Sequence, residues 1–199
     1  MRALHLATAV ALALTLTLGA CAGSGDELAA QYREGTGQNY ISGDGALTIL
    51  APDSRATPVE FGGSTDLGDT FTSADYAGNV IVVNFWYAGC PPCRLEAADL
   101  EAVYQQFKDQ GVVFIGVNIM DQAPTALTFA KEFGVTYPSL LDVNDGAVRL
   151  AFSGQIAPNA VPTTLVLDKD ARVAGRISGL LSDPDVLVGM IESVLEESS

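Results

Sequence analysis

A chain of 199 residues, 48% hydrophobic and 17% charged, has enough apolar mass for one folded domain with appendages and too few charges for a disordered chain. Its formal charge is −14, and all 24 acidic residues lie after Gly19 with nine of the ten basic ones, so no basic surface exists to displace counterions from phosphates and no nucleic-acid partner is expected. The one histidine is His5, which leaves residues 21–199 without the imidazole that Ser-His or Cys-His nucleophile pairs, His-ligated metals or a proximal haem ligand require.

Met1-Arg2 leads into an apolar run of Ala, Leu, Val and Thr from Ala3 to Leu18, the shape of an export signal, and residues 1–20 are read as a signal peptide. The run is short and Thr-rich for a stable spanning helix of ~20 residues. Leu18-Gly19-Ala20-Cys21 is similar to the lipobox of bacterial lipoproteins, in which the cysteine becomes the new N-terminus and carries acyl chains. Cys21 is therefore the expected lipid anchor, against a retained membrane anchor or an unmodified cleavage site. Lipidation leaves Cys90 and Cys93 as the free thiols, hence one possible disulfide in an oxidising compartment.

From residue 22 to 56 the chain is rich in Gly, Ser, Asp and Asn and reads as a tether, with a root-mean-square reach of ~30–35 Å if flexible throughout. The alternative for Leu47-Thr48-Ile49-Leu50 is docking as an extra strand. Residues 57–199 are expected to form one domain. Val59 to Phe61 and Asp69 to Thr72, divided by Gly62-Gly63 and Leu67-Gly68, predict a small hairpin. Val80 to Trp86 is a continuous apolar run, as in a strand buried on both faces, and Val112 to Asn118 is a second. Between them Leu100, Val103, Tyr104 and Phe107 recur at helical spacing within Leu95 to Lys108. Pro124 to Phe133 predicts a helix with Pro in its first turn and Gly134 past its end. A short strand at Ser139 to Leu141, a short helix at Gly146 to Phe152 and strands at Thr163 to Leu167 and Arg172 to Ile177 follow. Pro184 to Glu196 closes the domain as a helix capped by Asp183. Strands alternating with helices argue for an α/β layer fold with a sheet covered on both faces.

Cys90-Pro91-Pro92-Cys93 stands after the buried strand and at the start of the following helix. With Cys90 as the cap, the prolines take the first two helical positions, where a missing N–H costs nothing, and Cys93 lies one turn on. Two sulfurs so spaced can close and reopen a small disulfide ring, and the helix N-terminus favours a Cys90 thiolate over the free thiol of pKa ~8.5. Cys90 is expected to face solvent as the nucleophile and Cys93 to be recessed. Zinc needs about four ligands, and neither His nor further Cys is at hand. Covalent haem attachment needs His where Arg94 stands. A purely structural disulfide here would close a loop too small to constrain much chain entropy.

Val82-Val83-Asn84-Phe85-Trp86 before Cys90-x-Pro92-Cys93-Arg94-x-Glu96, then Gly116-Val117-Asn118, Tyr137-Pro138-x-Leu140-Leu141-Asp142 and Val161-Pro162-Thr163-Thr164, resemble the TlpA/ResA branch of the thioredoxin superfamily over about residues 57 to 197. The resemblance implies a thioredoxin-like fold: a central mixed β-sheet flanked by helices, with an N-terminal β-hairpin and a TlpA-type insertion from about Met120 to Ala160. It implies a cis Val161-Pro162 bond beside the sulfurs, with Val161 offering its backbone to an extended substrate and Trp86 lining the site with Tyr87; core packing is the alternative for both rings. Gly89 departs from the branch, which usually has Trp before the first Cys. The two prolines also remove two backbone donors that could face the Cys90 sulfur, which leans the pair toward a reductant.

The function these residues imply is a membrane-tethered protein-disulfide reductase on the outer face of the cytoplasmic membrane. No cofactor or metal is expected beyond the Cys90–Cys93 disulfide. The protein would be monomeric, exchange with protein thiols, and be re-reduced by a membrane electron donor. The branch suggests cytochrome c maturation as the setting. Glu96, on the same side of the helix start as Cys93, is the expected acceptor of the Cys93 proton, since Asn84 is an amide where thioredoxin carries a buried Asp. Helix-start stabilisation is the alternative for Glu96. Two rival functions remain: a thioredoxin-fold peroxidase, which would need a Thr at Tyr87 and a Pro at Val83, and a non-catalytic lipoprotein that binds a partner.

Overall fold

The computed structural model describes residues 46–156 and 160–197; the expected signal peptide, Cys21 and the tether up to residue 45 lie outside them. Six strands form one mixed sheet in the order β1-β8-β7-β4-β5-β6, namely β1 Ala46–Ile49, β4 Val80–Trp86, β5 Val112–Asn118, β6 Ser139–Leu141, β7 Thr163–Leu167 and β8 Val173–Ser178. β4, β5 and β6 run parallel, while β7, β8 and β1 are antiparallel to their neighbours. β2 Gly62–Ser64 and β3 Thr70–Thr72 form the hairpin. The helices are α1 Pro91–Phe107, α2 Ala123–Phe133, α3 Ala147–Ala151 and α4 Pro184–Glu196. This is the thioredoxin-like arrangement, mixed sheet and flanking helices included.

β4 is buried along its whole length because both faces are covered. Val80 and Val82 pack with Leu100, Val103 and Phe107 of α1 and Leu187 and Ile191 of α4. Ile81, Val83 and Phe85 point the other way, into a core with Phe61, Phe71 and Phe152. The period-2 alternation of a strand, satisfied by apolar residues on both sides, is why the segment reads as an unbroken apolar run. Ligand sites in such open sheets gather at the carboxyl ends of the strands, and β4 ends at Trp86, four residues before Cys90.

Two expectations need correction. The hairpin strand lies at Gly62–Ser64, three residues later than Val59 to Phe61. Val59 and Phe61 instead bury their side chains in the core, with the Val59 N–H on the Ala171 carbonyl and the Phe61 carbonyl accepting from Ser73. Gly62 can pair because it lacks a side chain: a Cβ there would sit 2.4 Å from the Phe71 carbonyl oxygen. The second correction concerns the tether, expected to reach residue 56. Residues 46–56 belong to the folded domain, as the alternative for Leu47 to Leu50 held, because β1 finds its partner in β8 across the whole sequence. Leu50 N–H then bonds Ala174, and the buried Arg55 guanidinium donates to the Leu50 carbonyl, to Asp168 and, through both terminal nitrogens, to Glu197.

Candidate active site

Cys90 caps α1 in extended conformation, Pro91 and Pro92 take the first two helical positions, and the Cys93 N–H donates to the Cys90 sulfur at 3.3 Å. With the prolines lacking N–H groups, Cys93 supplies the first donor that the helix start can aim at that sulfur. The two cysteines are joined in a disulfide, their Cα atoms 5.3 Å apart. The expectation of an exposed Cys90 is overturned for this disulfide form: Cys90 is 0% and Cys93 3% exposed. Helix position alone suggested exposure, but the cap residue joins a buried cluster with Phe85, Tyr87 and Val161.

The Val161-Pro162 bond is cis, as the resemblance implied. The loop is held from both ends, Ala160 accepting the Thr163 hydroxyl and the Pro162 carbonyl accepting from Gly179 N–H at the end of β8. Trp86 is nearly buried, its ring 4.3 Å from that of Phe129 and its indole N–H on the Ser139 hydroxyl at 3.1 Å. Gly116 makes room for that bond, since a Cβ there would lie 2.2 Å from the Ser139 oxygen. Trp86 therefore borders Cys93 from the core side and has little surface left to offer a substrate. Gly89, where the branch has Trp, is exposed, with the Tyr87 ring 3.2 Å from where its Cβ would be.

Glu96 is 1% exposed and one turn beyond Cys93. One carboxylate oxygen accepts the Asn84 amide at 2.9 Å and the other the Leu181 backbone N–H at 2.8 Å. Burial pushes its pKa up to about 7, the Leu181 and Asn84 donors offsetting only part of that cost. Asn84 also donates to the Thr164 hydroxyl at 3.1 Å, so its amide ties Glu96 to the strand that follows the cis proline. A small cavity of about 10 Å³, room for roughly one water, is lined by Cys93, Asn84, Trp86, Tyr137 and Ser139. Burial and the neighbouring Glu96 push the Tyr137 phenol well above its ordinary range, so it stays neutral there.

The structure thus brings together Cys90, Cys93, Glu96, Trp86, Val161 and Pro162 at the carboxyl end of β4, while Cys21 lies outside the described residues. Sequence reasoning treated Asn84 only as a group unable to take a proton and missed that it orients Glu96. Its place two residues before Trp86, on the α1 side of a buried strand, was the available signal. Leu181 acts through its backbone and carried no signal. A dithiol-disulfide pair beside a carboxyl group that titrates near neutrality can exchange disulfides and move the accompanying protons.

Residues 51–187 match the Redoxin family. The chain is 32% identical over 141 residues to the thiol–disulfide oxidoreductase ResA of Geobacillus kaustophilus (strain HTA426), covering 71% of this chain and 74% of that protein. It is 29% identical over 116 residues to ResA of Bacillus subtilis (strain 168), covering 58% of this chain and 62% of that protein. Among solved structures, a thioredoxin-family thiol:disulfide interchange protein from Chlorobium tepidum TLS superposes with a TM-score of 0.65 at 28% identity, covering 73% of this chain and 99% of that one. A secreted thiol-disulfide isomerase from Corynebacterium glutamicum reaches 0.67 at 26% identity, covering 79% and 97%.

Proposed function

The chain belongs to the Redoxin family and is a ResA-like thiol–disulfide oxidoreductase, and from that premise we propose that it reduces protein disulfides on the outer face of the cytoplasmic membrane, held there by a lipid on Cys21. The observation that carries the chemistry is Glu96, a buried carboxyl group with a pKa near 7 beside a redox-active cysteine pair. The Cys90 thiolate attacks a substrate disulfide, forming a mixed disulfide and releasing one substrate thiolate, which takes up a proton. Glu96 accepts the Cys93 proton, and the Cys93 thiolate attacks the Cys90 sulfur. The second substrate sulfur leaves as a thiolate that takes the proton back from Glu96, and the Cys90–Cys93 disulfide forms. Two electrons pass to the substrate in each cycle. Val161, at the cis proline, pairs with the extended substrate, and Trp86 backs the site.

No bound cofactor enters this cycle, and a membrane electron donor of the dithiol class restores the reduced pair. The Leu18-Gly19-Ala20-Cys21 pattern supports the anchor, and the secreted relative from Corynebacterium glutamicum supports the compartment. Apocytochrome c, whose thiols must stay reduced for haem attachment, is the proposed target on the strength of the resemblance. The assignment of Cys90 as nucleophile is supported by its place at the helix cap, where the Cys93 N–H donates to its sulfur and stabilises a thiolate.

The test is insulin reduction driven by dithiothreitol, together with trapping. Cys93→Ser should accumulate mixed disulfides and Cys90→Ser should not; equal trapping by both would refute the assignment. Cys21→Ala should lose lipid labelling and keep its thiol chemistry, whereas normal lipid incorporation in that variant would remove the anchor.

A further inference from the structure

We infer that Asp121 and Arg94 are positioning residues that hold the turn before Cys90 from both sides, an inference that rests on the redox reading above. The chain leaves the sheet at Trp86, whose carbonyl accepts the last sheet-like bond, from Ile119 N–H. Three residues, Tyr87-Ala88-Gly89, then carry it to the cap of α1, with the Tyr87 carbonyl taken by Cys90 N–H. Both polar groups of Ala88 are held by charged side chains. Its N–H donates to the Asp121 carboxylate at 2.6 Å, and its carbonyl accepts the Arg94 guanidinium at 3.3 Å. The N–H belongs to the peptide plane before the Ala88 Cα and the carbonyl to the plane after it, so the two bonds together set the φ and ψ of Ala88.

Each side chain is braced in turn. Asp121 accepts the Asn118 amide at 3.0 Å on the same oxygen that holds Ala88, and Asn118 accepts the backbone N–H groups of Met120 and Asp121. Arg94 donates to Glu132 at 2.7 Å and lies 4.7 Å from the Phe133 ring centre. Asp121, Glu132 and Phe133 all come from the segment beyond β5, so the insertion has a task at the site: it fixes the approach to the nucleophile. The need is greater here than with a bulky residue before the first cysteine, because Gly89 leaves the last link before Cys90 with the widest backbone freedom. Sulfur exchange is sensitive to that placement, since about 1 Å of misplacement of a reacting group can cost 10²-fold in rate.

The experiment compares Asp121→Asn with Asp121→Ala. Both remove the charge, but only the amide keeps an acceptor oxygen for Ala88 N–H. In reduced protein, Cys90 alkylation by iodoacetamide followed by mass spectrometry across pH 4 to 10 should give Asp121→Asn a profile within about threefold of the wild type. Asp121→Ala should be about tenfold slower at pH 7, with its midpoint moved upward as the sulfur loses its alignment with the Cys93 N–H. Insulin reduction should fall in parallel, with thermal midpoints of the two variants alike. Equal rates for the two variants, whether both fast or both slow, would overturn the clamp. Should Asp121→Ala fail to fold, Arg94→Ala, which leaves Asp121 in place, must show the same slowing, and a wild-type profile in it would sink the proposal. A wild type that does not reduce insulin would bring down the redox reading instead, and the alkylation comparison would still judge the clamp.

Discussion

Glu96 and Asp168 are both buried carboxylates, at opposite ends of the central strands, and the sheet treats them in opposite ways. Asp168, at the turn after β7, meets cations: burial pushes its pKa up, but the Arg172 backbone N–H, the Arg55 guanidinium and the Arg172 charge outweigh that and hold it below the ordinary carboxylate value. Glu96 meets only neutral donors, and its pKa rises to about 7. A carboxylate anchored by cations is a permanent charge that ties segments together. One held by amides alone exchanges its proton at working pH. The pole with Asp168 is built to stay put and the pole with Glu96 to turn over.

Arg55→Ala should have the largest effect. It leaves Asp168 and Glu197 facing each other's surroundings without their shared cation, and breaking such a buried pair costs about 3–5 kcal/mol; Glu197 is part-exposed, so the low end is expected. Denaturant unfolding measures this, and insulin reduction at a temperature where the variant is folded should match the wild type. A variant with wild-type stability would remove the Asp168 pole from the comparison.

The next effect is the pH dependence of stability, whose sign separates the two carboxylates. Glu96 binds its proton more tightly folded than unfolded, the folded value being about 7 against 4.5. Its contribution to stability is therefore greatest at low pH and declines as pH rises from about 4.5 to about 7, by about 3 kcal/mol in all. Asp168 has a depressed folded pKa, so its contribution is present above the ordinary value near 3.8 and is lost as pH falls below it. Glu96→Gln should remove the decline between about pH 4.5 and 7 that is expected of the wild type, as read by denaturant unfolding. Parallel curves for the two proteins would mean that Glu96 is ionised at both ends.

The same substitution should slow resolution of the mixed disulfide about 100-fold at pH 7, the low end of what general acid–base catalysis contributes. Stopped-flow measurement of the Cys93 step reads it, and an unchanged rate with an unchanged alkylation profile for both cysteines would leave Glu96 a helix-start residue only. The smallest effect is expected from Asn84→Ala. Losing one donor to the carboxylate, worth about 1 kcal/mol, should raise the midpoint of the Cys93 step by up to about one pH unit. A downward shift would show that Asn84 does not steady the charged form of Glu96.

What the amino-acid sequence determined by itself is the part of the site that depends on neighbours along the chain. The capping cysteine, the two prolines at the helix start, the buried β4 run and the placement of Glu96 one turn past Cys93 were all legible in residues 80–107, because caps, turns and periodicities act over a few residues. The family resemblance of Val161-Pro162 added the cis loop. The hairpin was legible only approximately, since Gly62-Gly63 reads as a break until Phe71 is seen lying against it. Only the tertiary structure decided the rest. β1 stands in a stretch of tether-like composition and becomes a strand because Thr48 meets Arg176, 128 residues on. Glu96 has a pKa of about 7 because distant segments bury it, and the N–H of Leu181, 85 residues away, offsets only part of that cost. Cys90 is covered although its helix position faces outward. Solvation and charge at a buried group are set by everything packed within a few ångströms, and most of those atoms belong to distant parts of the chain.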